Sequence, residues 1–274
     1  MRYLAGIDFS GDHTKWSAGC TKTNVWVATG VANGSAVVVE SLIPVQQLCR
    51  SGHPFTALSD FLNGLGDGYV GIDAPFCVPA AFSPDGVREA WHKVASLALA
   101  ERPFPRGRQL VHAFDPQLAE RGAKLHRETE KYWVRKGVNV RSTMWAGPRG
   151  GAPFAAACMT LLARHRGSVW PMIDGPGAIL VEAFPAAQLR HWKLPFVQYN
   201  GSTALAQGNR ASILLGLEAR GLVIDQRMRS ECEWSADALD ALVCMFAGFA
   251  VADGMIAVEP GEAAKLEGHI VVRS

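Results

Sequence analysis

Residues Arg2–Phe9 are apolar almost throughout, the pattern of a strand buried on both faces. Val25–Val31 and Ala36–Ile43 are rich in β-branched residues and are separated by Asn33-Gly34, the strongest short signal for a hairpin. Three consecutive antiparallel strands are therefore predicted. After Pro54 the apolar positions Phe55, Leu58, Phe61, Leu62 and Leu65 recur at helical spacing, and the cluster Gly64, Gly66, Gly68 ends that helix. Tyr69–Asp73 is a further short buried strand stopped by Pro75, so the order is β-β-β-α-β.

From residue 79 to 176 the pattern loosens. Helices are expected near Asp85–Glu101, over the basic stretch Gln117–Lys136, and over the apolar stretch Pro153–His165. Strand character returns at Ala178–Glu182, a helix follows over Thr203–Arg220 with Gly221 as its stop, and a last strong helix begins at Ser235. The expectation is one α/β domain over residues 1–274, its parallel strands following the antiparallel three. Residues 79–176 form a helical, basic insertion between core strands. The chain has no internal repeat, low-complexity segment or Gly/Ser linker.

Composition narrows the class. Of 274 residues, 49% are hydrophobic and 19% charged, which is globular rather than disordered. The apolar stretch Ala241–Ala252 is shorter than the roughly 20 residues needed to cross a bilayer, and Asp8 interrupts the first apolar run before a secretory signal can form. A cytoplasmic protein with no membrane partner is expected. Six cysteines without a C-x-x-C pair read as reduced thiols rather than a zinc site. The net charge of +2 conceals an asymmetry: Asp85–Arg166 carries fifteen Lys/Arg against seven Asp/Glu, and the rest twelve against eighteen. Such a basic segment suits an anionic partner, though a solvated Arg-rich helical surface has the same composition.

Candidate chemistry lies in the acids. LAGIDFSG, YVGIDAPF and ILVEAFPA are short apolar runs that each end in one acid and are broken soon after by Gly or Pro, placing Asp8, Asp73 and Glu182 in equivalent positions. Ligands of open α/β sheets sit beyond the carboxyl ends of parallel strands. If these three strands are parallel neighbours, their carboxylates meet at one edge, where mutual repulsion calls for a divalent cation. In the helix WSADALDALVCMF, Asp237 and Asp240 lie about 60° apart around a 3.6-residue turn and can address the same site. Each acid also has a structural role open to it. A strand-end acid can cap the next turn, and Asp237 after the N-cap candidate Ser235 suits a helix first turn.

The motifs GIDFSG, GIDAPF, VEAFPAA, SADALDALVCMFAGF and EGHIVV resemble those of domain-of-unknown-function family 429, predicted ribonuclease H-like nucleases. The element order likewise resembles the ribonuclease H-like fold of RuvC-type resolvases. The resemblance covers both ends of the chain and most of the core. It implies Asp8 as the central metal ligand, Asp73 as the fourth-strand ligand and Asp237 with Asp240 as the helix pair. Glu182 matches the family's own motif and joins them as a catalytic candidate. It further implies phosphodiester hydrolysis with two Mg²⁺ or Mn²⁺ ions about 4 Å apart, and hard oxygen ligation favours those ions over zinc.

Nucleic acid is the expected partner. Arg102, Arg106, Arg108, Arg135, Lys136, Arg141 and Arg149 are candidates for phosphate contacts, with Trp133 and Trp145 for base stacking or for core packing. GPRGG at Gly147–Gly151 lacks the following G-K-[ST] of a P-loop, and His126-Arg127-Glu128 lacks the P-C-x-x-C of a zinc deaminase. His13 is a candidate phosphate or proton-transfer partner or an exposed loop histidine. Two other classes fit the same acids: a phosphotransferase or ATPase of the related sugar-kinase and actin-like class, holding nucleotide phosphates near Asp8 and Ser10-Gly11, and a non-catalytic nucleic-acid-binding module.

Overall fold

β1 (Arg2–Asp8), β2 (Trp26–Asn33) and β3 (Ala36–Pro44) form the antiparallel meander that the sequence predicts. Gly34 makes the β2–β3 turn at φ +60°, where a Cβ would be strained. The computed structural model describes residues 1–49, 52–121 and 124–274. Helix α1 (Pro54–Gly64) crosses over to β4 (Gly68–Asp73), which lies parallel to β1 with Asp8 opposite Asp73.

Next come α2 (Val87–Ala95), α3 (Gly107–Phe114), α4 (Pro116–Arg121), α5 (Glu128–Arg135) and α6 (Ala152–Leu162). The stretch predicted as one basic helix, Gln117–Lys136, is divided between α4 and α5, and its residues 122–123 lie outside the described residues. Segment 79–176 is not wholly helical: it also carries β5 (Ser168–Trp170), whose three residues are too few to show a period. The chain continues through β6 (Ile179–Glu182), α7 (Pro185–His191), α8 (Ala204–Glu218), β7 (Leu222–Val223), α9 (Gln226–Trp234), α10 (Ala236–Asp253) and α11 (Ala264–Glu267).

The seven strands make one mixed sheet in the order β5-β6-β4-β1-β2-β3-β7, with β5, β6, β4 and β1 mutually parallel. Alternation along each strand sends side chains to two separate cores. Ala5, Ile7, Val70, Ile72 and Leu180 pack with α1, α2, α3 and α6 on one face, whereas Leu4 and Val181 pack towards α10 on the other.

Helix α10 is the central element of that second face. Fourteen of its eighteen residues are buried, which explains why it is apolar on every side. Among the described residues no single helix is long and apolar enough to cross a membrane. The Ser235 side chain accepts a hydrogen bond from the Ala238 amide at 3.1 Å, confirming the predicted N-cap and setting where the helix starts. Strands β1 and β4 meet α10 through Gly6 and Gly71, where any Cβ would lie 2.0 Å from the Ala241 carbonyl oxygen and 1.9 Å from that of Cys244. Asp8 and Asp73 follow two residues later on the same face, so the helix that carries Asp240 is held against the strands that carry the other two acids.

Candidate functional site

The cluster is assembled at the carboxyl ends of parallel strands. Asp8 ends β1, Asp73 ends β4, and Asp240 sits one turn into α10; one carboxylate oxygen from each lies within 4.8 Å of the others. Asp237 lines the same cleft one turn earlier, outside this group of three. Tyr199 donates its hydroxyl hydrogen bond to Asp240, 3.0 Å from Oδ1, and its own carbonyl accepts from the buried Arg210 guanidinium. Nothing in the local sequence marks Tyr199, because its partner is 41 residues away.

Burial pushes the Asp8 carboxyl well above the usual range, and the charges of Asp240, Asp73 and Asp237 push it further. Burial likewise raises Asp73 to about 7, with Arg141 pulling it down and Glu182 and Asp237 pushing it up. Asp240 is driven up by burial and by Asp73, against the Tyr199 hydrogen bond. Burial lifts Asp237 to about 6, with Lys15 opposing. The three carboxylate oxygens lie together with no lysine or arginine salt bridge to any of them among the described residues, a donor set that could hold a hard divalent cation.

These shifts have a definite sign. The folded, metal-free protein keeps protons that the unfolded chain releases near pH 4, so the cluster costs stability as pH rises from about 4 through about 7. Buried His165 and His269, held below their ordinary values, act in the opposite direction with or without metal. If the cluster holds a divalent cation, the stabilisation gained on adding Mn²⁺ is therefore expected to grow between pH 5.5 and 7.5, as protons cease to compete for the carboxylates. Melting temperatures in EDTA and in Mn²⁺ at both pH values measure it; an increment that shrinks with pH would contradict the assignment.

Glu182 does not join the cluster. It pairs in register with Ile72 rather than Asp73, and that one-residue offset turns its side chain to the opposite face of the sheet. There it is buried, accepts the Phe76 amide at 3.1 Å and forms a two-pronged pair with Arg127, whose Nε donates to Glu130 at 2.9 Å. Glu130 at the third position of α5 also accepts the Arg127 amide, as the acid of a capping box does. Arg127 is thus fully engaged in tying α5 to β6 and to the turn after Asp73.

Of the seven basic candidates, Arg141 lines the acid cleft, its guanidinium 5.2 Å from the Phe154 ring centre. Arg106 and Arg108 line a separate depression beside Leu97, Leu99 and His112. Arg102, Arg135, Lys136 and Arg149 line neither; Lys136 lies over the Tyr132 ring and Arg149 is an exposed residue at φ 56° in the GPRGG turn. Trp133 is core, and Trp145 donates to the Pro148 carbonyl while Gly147 and Gly150 close around it. Two of the three glycines of GPRGG, Gly147 and Gly150, thus make room for Trp145. His13 opens a short helical turn beside Asp12 and is not part of the cleft lining.

A family model described as "Protein of unknown function (DUF429)" matches residues 6–265. No curated protein matches the chain, and no solved structure matches it.

Proposed function

We propose that this chain, which belongs to the DUF429 family, is a divalent-metal-dependent phosphodiesterase of the ribonuclease H-like type acting on nucleic acid. One observation carries the reading: Asp8, Asp73 and Asp240, from segments far apart in sequence, deliver oxygens within 4.8 Å of one another beside strand ends where α/β sheets bind ligands. The strand order supports the fold assignment, since an antiparallel meander runs into parallel strands with α10 lying across them.

Asp8, Asp73 and Asp240 would hold Mg²⁺ or Mn²⁺, with Asp237 at the edge of the set; their donors are all hard oxygens. When bound, such an ion lowers the pKa of a water and offsets charge on a phosphate. The protein's own part is orientation. Tyr199 fixes the rotamer of Asp240 by its hydrogen bond. Glu182 holds the Phe76 amide, and the Trp91 indole donates to the Phe76 carbonyl at 2.8 Å, pinning the turn that aims Asp73. Arg141 offers a guanidinium to non-bridging phosphate oxygens.

The purified protein should be assayed with Mg²⁺ and with Mn²⁺ on single- and double-stranded DNA and RNA, a hybrid duplex and a branched junction. Cleavage of at least one substrate, abolished by EDTA, is expected. No cleavage of any, together with no Mn²⁺ uptake by calorimetry, overturns the proposal.

A further inference from the structure

We infer that the cleft takes its substrate as a single-stranded nucleotide unit, with one base stacked on the indole of Trp234 and the adjoining phosphate between Arg141 and the aspartates. This rests on the phosphodiesterase reading above and narrows its substrate class.

Trp234 is the last residue of α9, and α9 and α10 meet at 116° around Ser235. The bend leaves Trp234 lining the cleft three residues before Asp237. It is 74% exposed, whereas Trp16, Trp91, Trp133 and Trp192 are all buried. An indole is among the side chains with most to gain from burial, so the fold itself makes little use of this one. Flat aromatic surface beside a phosphate site is what a nucleobase stacks on, whatever the base.

Charge separates a single strand from a duplex. Among the described residues the cleft lining holds Asp8, Asp73, Asp237, Asp240, Glu130 and Glu182 against two arginines. Arg127 is consumed by Glu130 and Glu182, which leaves Arg141. Duplex binding draws its affinity from many phosphate contacts along the backbone, and this lining offers one cation for them. The cleft's volume of about 950 Å³ is of the size that encloses a small ligand. Its wall also contains Asn24, whose buried amide oxygen has no hydrogen-bond partner among the described residues.

Binding should be measured in Ca²⁺, without requiring turnover, for wild type, Trp234→Ala and Trp234→Phe. The probes are a labelled eight-nucleotide DNA strand, the same strand with abasic sites, a twelve-base-pair duplex and dAMP. Trp234→Ala is expected to weaken the intact strand roughly five- to hundredfold, the effect of losing one stacked base, with Trp234→Phe recovering most of it. The abasic strand should bind wild type and Trp234→Ala alike, and wild type should prefer the strand to the duplex. An equal loss for dAMP assigns the site to a free nucleotide, and a loss for the strand alone assigns it to a chain; both support the inference. Unchanged affinity in Trp234→Ala, or a preference for duplex, overturns it. Stacking without turnover in Mg²⁺ or Mn²⁺ on any probe would sink the hydrolase reading alone.

Discussion

Asp8→Asn is expected to reduce metal-dependent hydrolysis by about a thousandfold or more while raising the melting temperature of the metal-free protein. The two effects share one cause. Asp8 is 6% exposed and has Asp240, Asp73 and Asp237 as charged neighbours, with the Phe9 backbone amide as its compensating hydrogen bond. Asparagine keeps the shape and an oxygen for that amide but removes the charge. On the proposed function, losing Asp8 as a metal ligand would forfeit several kcal/mol of charge stabilisation in the transition state, and each 1.36 kcal/mol is about tenfold in rate. Relief of repulsion in the free protein should contribute about 1–3 kcal/mol at pH 7.5, where Asp73 at about 7 is largely ionised. For a chain of this size that corresponds to roughly 2–10 °C. The stabilising increment from Mn²⁺ should vanish in the same variant. Scanning calorimetry in EDTA and in Mn²⁺, beside the hydrolysis assay, measures all three quantities. A variant that is inactive yet melts lower than wild type in EDTA would show that the carboxylates are not held together against repulsion.

Asp8 and Asp73 were legible because each closes an apolar strand and precedes a Gly or Pro break, a signal confined to eight residues. Asp240 was legible through the Ser235 cap and the apolar run behind it, which place the helix and hence the residue one turn in. The place of Glu182 was not, since its motif looks like the other two and only the register of β6 against β4 decides the face. The Arg127–Glu182 and Tyr199–Asp240 pairs join residues 55 and 41 positions apart, beyond any local pattern. The charge count over Asp85–Arg166 was a true property of the sequence but carried no information about direction. Arg106 and Arg108 line one depression and Arg141 another. β5 and β7, with three and two residues, are made strands by their neighbours rather than by their composition.

Gly71→Ala is expected to cost about 2–4 kcal/mol of stability, roughly 5–15 °C in melting temperature, and to abolish the Mn²⁺ increment in whatever protein folds. The repeated G-I-D of β1 and β4 is what links these outcomes. Gly6 and Gly71 are register partners, as are Asp8 and Asp73 two residues on, so both glycines lie on the face that meets α10. A Cβ at Gly71 would sit 1.9 Å from the carbonyl oxygen of Cys244, which is backbone and cannot rotate aside. The helix must retreat by more than an ångström, taking with it Asp240 one turn earlier. Three ligand atoms within 4.8 Å of one another tolerate little such motion. Gly64→Ala, at the end of α1 with open space where its Cβ would go, serves as the control and should change stability by less than about 1 kcal/mol. If Gly71→Ala melts and binds Mn²⁺ like wild type, close approach of helix to strand does not set the cluster. The glycine of each G-I-D would then need another explanation than making room for the helix that completes the site.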